Sequence, residues 1–60
     1  MDIVQVRATA KRLVHVHGWR AEAEAAQKIQ ELQQGGDMEK TEMWRRIRSL
    51  IREMKPPRQT

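Results

Sequence analysis

Basic side chains recur along one side of the most regular stretch of this sequence. They are spaced by three, four and three residues, so in an α-helix they form a single row: Arg45, Arg48, Arg52 and Lys55, with Arg46 beside it. A row of fixed positive charge favours an acidic partner, either a nucleic acid or an acidic protein surface. The alternative is a solvated helix face, where the long stems cover apolar edges and the charged ends stay in water.

His15 and His17 form an H-x-H pair, the other set of groups with possible chemistry. In a strand this spacing places both rings on one face, as a metal site requires, but in a helix the two rings point about 200° apart. The sequence contains no cysteine, which excludes thiolate ligands. We therefore expect no metal site and no cofactor.

The sequence lacks the motifs of the common enzyme classes. It contains no H-E-x-x-H, P-loop, G-x-G-x-x-G or G-x-S-x-G pattern, and its only serine is Ser49. A core of this size cannot enclose a substrate pocket. We expect neither enzymatic activity nor a small-molecule substrate.

A helix over residues 37–55 positions the basic row. Asp37 follows Gly35-Gly36 and is a favourable N-cap, while Pro56-Pro57 cannot continue a helix. We also expect an ion pair between Glu42 and Arg46, four residues apart. The apolar face of this helix comprises Met43, Trp44, Ile47, Leu50, Ile51 and Met54.

Two further helices are predicted over residues 2–17 and 19–34, with Asp2 at the start of the first and Gly18 ending it. Glu24 and Lys28 are expected to pair on the outside of the second. In the alternative, one long helix continues through Gly18 and forms a hairpin with the last helix, since a single helical glycine costs only about 1 kcal/mol. The apolar stripes are Ile3, Val6, Ala10, Leu13 and Val14, then Ala21, Ala25, Ile29 and Leu32.

The predicted fold is all-α, a small three-helix bundle or helical hairpin in one domain over residues 1–55, followed by a loose tail over 56–60. With 60 residues and few large apolar side chains, such a domain is marginal alone, so we expect a homodimer to complete the core. Trp19 and Trp44 are expected to anchor the core, or else one of them is exposed at a partner interface. The residues expected in the core or the dimer interface are Leu13, Ile29, Leu32, Trp44, Ile47, Leu50 and Ile51.

The formal net charge of +4 is unevenly distributed, with an acidic middle between basic ends. This arrangement favours internal charge pairing as much as nucleic-acid binding. No apolar run approaches the roughly 20 residues that span a bilayer, and the N-terminus lacks a signal-peptide pattern. We expect a cytoplasmic protein with no membrane partner.

A family resemblance rests on several of these positions. They are His17-Gly18, Ala21, Ala25, Ala26, Leu32, Gly36-Asp37, Trp44, Ile47 and Ile51. This pattern resembles that of short uncharacterised helical proteins of alphaproteobacteria. The resemblance implies helix boundaries at Gly18 and at Gly36-Asp37, and it implies no catalytic or binding residue. Trp19 and the strongly basic third helix depart from the family pattern.

The sequence thus predicts a bacterial, non-enzymatic interaction or adaptor module that presents its basic third helix to an acidic partner. The alternative is a nucleic-acid-binding regulator that uses the third helix for recognition. Against it, Glu39 and Glu42 crowd the N-terminal end of that helix, the end that recognition helices insert. A third possibility is a structural subunit whose charge rows pair between copies.

Overall fold

The structure is a computed structural model that describes residues 3–54, and these residues form three α-helices. Helix α1 is Ile3–His17, α2 is Ala21–Gln34 and α3 is Met38–Met54, with a 3-10 turn, Gly18–Arg20, between α1 and α2. No residue in this part of the chain lies in a strand. The prediction of an all-α fold is confirmed.

Several predicted features lie outside the described residues. They are the helix start at Asp2, the last basic position Lys55, the stop at Pro56-Pro57 and the loose tail.

Gly18 divides the helical segment between Ile3 and Gln34. Helix α1 ends at His17, and Gly18 has a φ of 63°, a left-handed conformation that only glycine adopts at little cost. This conformation turns the chain sharply before α2 begins at Ala21. Helical structure thus continues without a loop across Gly18, but α1 and α2 are not one straight helix.

Helix α3 packs against both α1 and α2, which contact each other little. Helices α1 and α3 run in the same direction, because Ile3 shares a groove with Arg46 whereas Lys11 shares one with Met54. Helices α2 and α3 run in opposite directions, because a short loop joins them at one end. The third helix is therefore the element on which the other two are assembled.

The loop between α2 and α3 has the hydrogen bonds of a Schellman motif. Gly36 has a φ of 79°, the N–H of Asp37 donates to the carbonyl of Leu32 at 3.0 Å, and the N–H of Gly36 donates to the carbonyl of Gln33 at 3.1 Å. Asp37 then caps α3, because its Oδ1 accepts from the N–H of Lys40 at 3.1 Å. Both predicted features, the break at the glycines and the Asp37 cap, are confirmed.

The core combines alanines from α1 and α2 with larger side chains from all three helices. Alanines at the contact let helix backbones approach closely, which favours a compact bundle from a short chain. The buried apolar residues are Val6, Ala10, Ala21, Ala25, Ile29, Ile47 and Ile51. Half-buried residues pack against this cluster: Leu13, Val14, Met43, Trp44, Leu50 and Met54. The predicted apolar face of α3 is confirmed, and Leu32 is also half-buried.

Thr41 is a buried polar residue that the apolar pattern does not reveal. It has no solvent exposure, and its Oγ1 donates to the carbonyl of Asp37 at 2.7 Å. The hydroxyl is thereby satisfied within its own helix, one turn back, so its burial carries no unpaired polar group.

Trp19 does not anchor the core as predicted, because its side chain is 78% exposed. The left-handed residue at Gly18 reverses the chain immediately before Trp19, which therefore lies on the outside of the turn and not in line with the apolar stripe of α1. Trp44 is half-buried against the core. Trp44 lies at the core as expected, whereas the exposure of Trp19 matches the alternative in which one of the two tryptophans is exposed.

Candidate binding surface

Two members of the predicted basic row are engaged within the fold. The Nε atoms of Arg48 and Arg52 lie 3.8 Å and 3.2 Å from Oε2 of Glu22. Glu22 lies in the first turn of α2, and its side chain is only 21% exposed. The flank of α3 that carries these arginines therefore faces α2, and its charge is partly neutralised there.

We expect Glu22→Gln to lower the free energy of unfolding by about 1 kcal/mol, the upper range for a partly exposed ion pair. Glutamine preserves the length and helix propensity of the side chain but removes the charge that faces Arg48 and Arg52. Urea denaturation followed by circular dichroism measures the change. Glu31→Gln, at an exposed position of α2, is the matched control. Equal midpoints for the two variants would contradict a stabilising role for Glu22.

Arg45 continues the row but has a different partner. Its Nη1 lies 3.4 Å from Oε2 of Glu42, one turn earlier in α3. The expected pair between Glu42 and Arg46 is wrong, because Arg46 lies on the side of α3 that faces α1, beside Ile3 and Leu50.

The expected pair between Glu24 and Lys28 is also wrong, because Glu24 contacts a residue of α1. Its Oε2 lies 3.3 Å from Nδ1 of His17. The turn at Gly18 brings the end of α1 beside the first turn of α2, so a contact between helices replaces the expected contact within α2.

Two depressions along the boundary between α1 and α3 meet at Leu50, and we call them together the α1–α3 groove. Ile3, Leu50 and Met54 form its apolar floor. Ile3 is exposed, while Leu50 and Met54 are half-buried. Polar and charged side chains line its edges: Arg7 and Lys11 from α1, and Glu42, Arg45, Arg46, Ser49 and Glu53 from α3.

Three cations of this groove have no ion pair within residues 3–54: Arg7, Lys11 and Arg46. They stand on both walls, two on α1 and one on α3, and they are exposed. The unpaired positive charge of α3 thus lies on its α1 side, at Arg46, whereas Arg48 and Arg52 lie on its α2 side. The relative position of α1 and α3 creates this site, and no spacing within α3 alone indicates it.

The described residues contain no group of three or more His, Cys, Asp or Glu side chains that could hold a metal ion. The two histidines both lie in α1, where their spacing directs them to different sides. His17 contacts Glu24, while His15 lines a shallow groove with Lys11 and Arg12. Among residues 3–54, none of the helices combines the length and apolar character needed to traverse a bilayer.

The predicted core or interface residues are all buried or half-buried within the single chain: Leu13, Ile29, Leu32, Trp44, Ile47, Leu50 and Ile51. Of these, Leu50 also reaches the α1–α3 groove. Homodimerisation stays a prediction.

No protein-family model matches the chain, and neither a curated protein nor a solved structure matches it. The resemblance to alphaproteobacterial helical proteins stays a prediction.

Proposed function

We propose that this protein is a non-enzymatic binding module whose α1–α3 groove receives an acidic, amphipathic helical segment of a protein partner. The observation that carries the proposal is the combination of an apolar floor with unpaired cations on both walls. An amphipathic helix can place its apolar stripe on Ile3, Leu50 and Met54, as helices do in hydrophobic grooves of other proteins.

The cations determine which helix fits. Arg7 and Lys11 stand on one wall and Arg46 on the other, so carboxylates on both flanks of the bound helix would each meet a positive charge. Such pairs at the rim of an interface chiefly raise the association rate and fix the orientation of the partner. The apolar contacts supply most of the affinity.

Charge distribution favours a protein over a nucleic acid in this groove. Glu42 and Glu53 line it together with the cations, so its positive charge is interrupted, which suits separate carboxylates better than a continuous run of phosphates. Arg48 and Arg52, which a recognition helix would use, are held by Glu22. A phosphate backbone also gains little from an apolar floor, because nucleic-acid affinity comes mainly from phosphate contacts.

The test is a titration with a synthetic helical peptide that has leucines at helical spacing and glutamates on both flanks, followed by NMR spectra of the labelled protein. We expect shifts at Ile3, Leu50 and Met54, saturable binding, and no comparable shifts with a scrambled peptide. Replacing Arg46 by Glu should weaken binding about tenfold, since it exchanges an attraction for a repulsion at the rim.

Glu22→Gln serves as the matched control, because it frees Arg48 and Arg52 without touching the groove. If this change strengthens peptide binding while Arg46→Glu has no effect, the α2-side row is the binding surface and the groove assignment is wrong. Steeply salt-dependent binding to random duplex DNA, without peptide binding, would favour a nucleic-acid regulator.

Sedimentation of the unmodified protein tests whether a second copy of the chain, and not a different protein, occupies the groove. A dimer that dissociates on Leu50→Asp, in a variant that keeps its helicity, would mean that a second copy fills the groove.

A further inference from the structure

A second exposed surface lies at the corner where α1 turns into α2. We call it the Trp19 corner and define it by four exposed residues in or near this turn: Arg12, Val16, Trp19 and Arg20. Val16 is 63% exposed and Trp19 is 78% exposed. Neither belongs to the α1–α3 groove, so the proposed function leaves both unexplained.

The chain segment that carries these two apolar side chains has charges of one sign. Residues 3–20 contain no aspartate or glutamate but include four Lys and Arg residues. Of the two acids in the first turn of α2, Glu22 faces Arg48 and Arg52, and Glu24 contacts His17. Arg12 and Arg20 are exposed, and neither has an ion pair within the described residues. The corner thus combines an exposed indole with uncompensated positive charge.

The apolar area of this corner is too small for a stable protein interface. A tryptophan buries about 150–250 Å², whereas a standard interface buries about 800 Å² on each partner. Binding to a bilayer surface does not require an apolar area of this size, because individual side chains can insert into it. Tryptophan favours the headgroup region, where its ring is in an apolar layer and its N–H meets polar groups, and basic residues add attraction to anionic lipids.

We propose that the Trp19 corner docks on an anionic lipid surface. Trp19 and Val16 enter the headgroup region, and Arg12 and Arg20 face the lipid phosphates. The contact is peripheral and needs no spanning helix, so it replaces the expectation from the sequence that the protein has no membrane partner. It uses residues outside the α1–α3 groove, and either surface can therefore function without the other.

The test is cosedimentation of the unmodified protein with vesicles of phosphatidylcholine mixed with phosphatidylglycerol, and with vesicles of phosphatidylcholine alone. We expect binding to the anionic vesicles that falls with added salt, and much weaker binding to the neutral ones. Trp19→Ala should weaken binding about tenfold, as expected for loss of a largely inserted apolar side chain. Arg12→Ala and Arg20→Ala should each weaken it about fivefold.

Tryptophan fluorescence measures independently whether Trp19 enters the lipid surface. In a Trp44→Phe variant Trp19 is the only tryptophan, and we expect its emission to shift to the blue with anionic vesicles. Circular dichroism checks that each variant keeps its helices, and Lys28→Ala, at an exposed position of α2 outside both surfaces, is the control for net charge.

Three results would overturn the proposal. The first is an unmodified protein that does not sediment with anionic vesicles at low salt. The second is a helical Trp19→Ala variant that binds them as well as the unmodified protein does. The third is Trp19 quenching by a single-stranded oligonucleotide without any response to vesicles, which would mean that the indole stacks on bases.

Discussion

Ile47→Ala is expected to leave most of the protein unfolded at room temperature. Ile47 is only 1% exposed and lies in the core cluster that joins α3 to both other helices. Truncating a buried isoleucine to alanine costs about 2–5 kcal/mol, and a core in a chain of this size rarely supplies more than about 3–5 kcal/mol. The loss therefore equals most of the available stability.

Far-UV circular dichroism and urea denaturation measure this effect. Ile3→Ala is the matched control, because Ile3 is the same residue type at a position that is 54% exposed. We expect the control to keep its helicity and lose little stability, while it weakens binding in the α1–α3 groove. If the two variants unfold at the same urea concentration, Ile47 does not occupy a core that the three helices share.

The boundaries and apolar face of α3 could be predicted because their causes are local. Asp37 caps the helix through a contact three residues away, and Gly36 adopts the left-handed conformation that ends α2. The burial of Ile47 and Ile51 follows from helical spacing, since one face of an isolated amphipathic helix must be covered. These features need no knowledge of where α1 lies.

The same pattern leaves open whether Trp19 is buried or exposed. Helical spacing predicts the face on which a side chain lies only within one continuous helix. The left-handed conformation of Gly18 ends that continuity one residue before Trp19. A glycine shows where the chain can turn, but the direction of the turn depends on how α1 settles on α3. An apolar residue next to such a turn can therefore lie on either side.

Ion pairs between helices were indicated only in general terms. The acidic middle of the sequence favoured internal charge pairing, and Glu22 does face Arg48 and Arg52. The choice of partners depends on helix packing, which sets Glu22 against α3 and leaves Arg46 next to α1. Spacing within α3 predicts that Arg48 and Arg52 share one side of the helix, whereas which charges are paired depends on the arrangement of all three helices.

Ala25→Leu is expected to destabilise the protein by about 1–3 kcal/mol, the cost of overpacking a filled core. Ala25 has no solvent exposure, and its neighbours in the core cluster include Ile47 and Ile51. Leucine is nearly as good a helix former as alanine, so the loss would come from pushing α2 away from α3. Such a displacement would also draw Glu22 away from Arg52, adding a smaller electrostatic loss.

Ala23→Leu isolates the packing term, because Ala23 is exposed on the same helix only two residues away. The two variants share composition, helix propensity and mass, and we expect the Ala23 variant to change stability by no more than about 0.5 kcal/mol. Paired urea titrations give the difference between them directly. A helical Ala25→Leu variant as stable as its Ala23 counterpart would mean that α2 and α3 are separated widely enough to admit a leucine. In that case the alanines of α2 do not set the distance between the two helices.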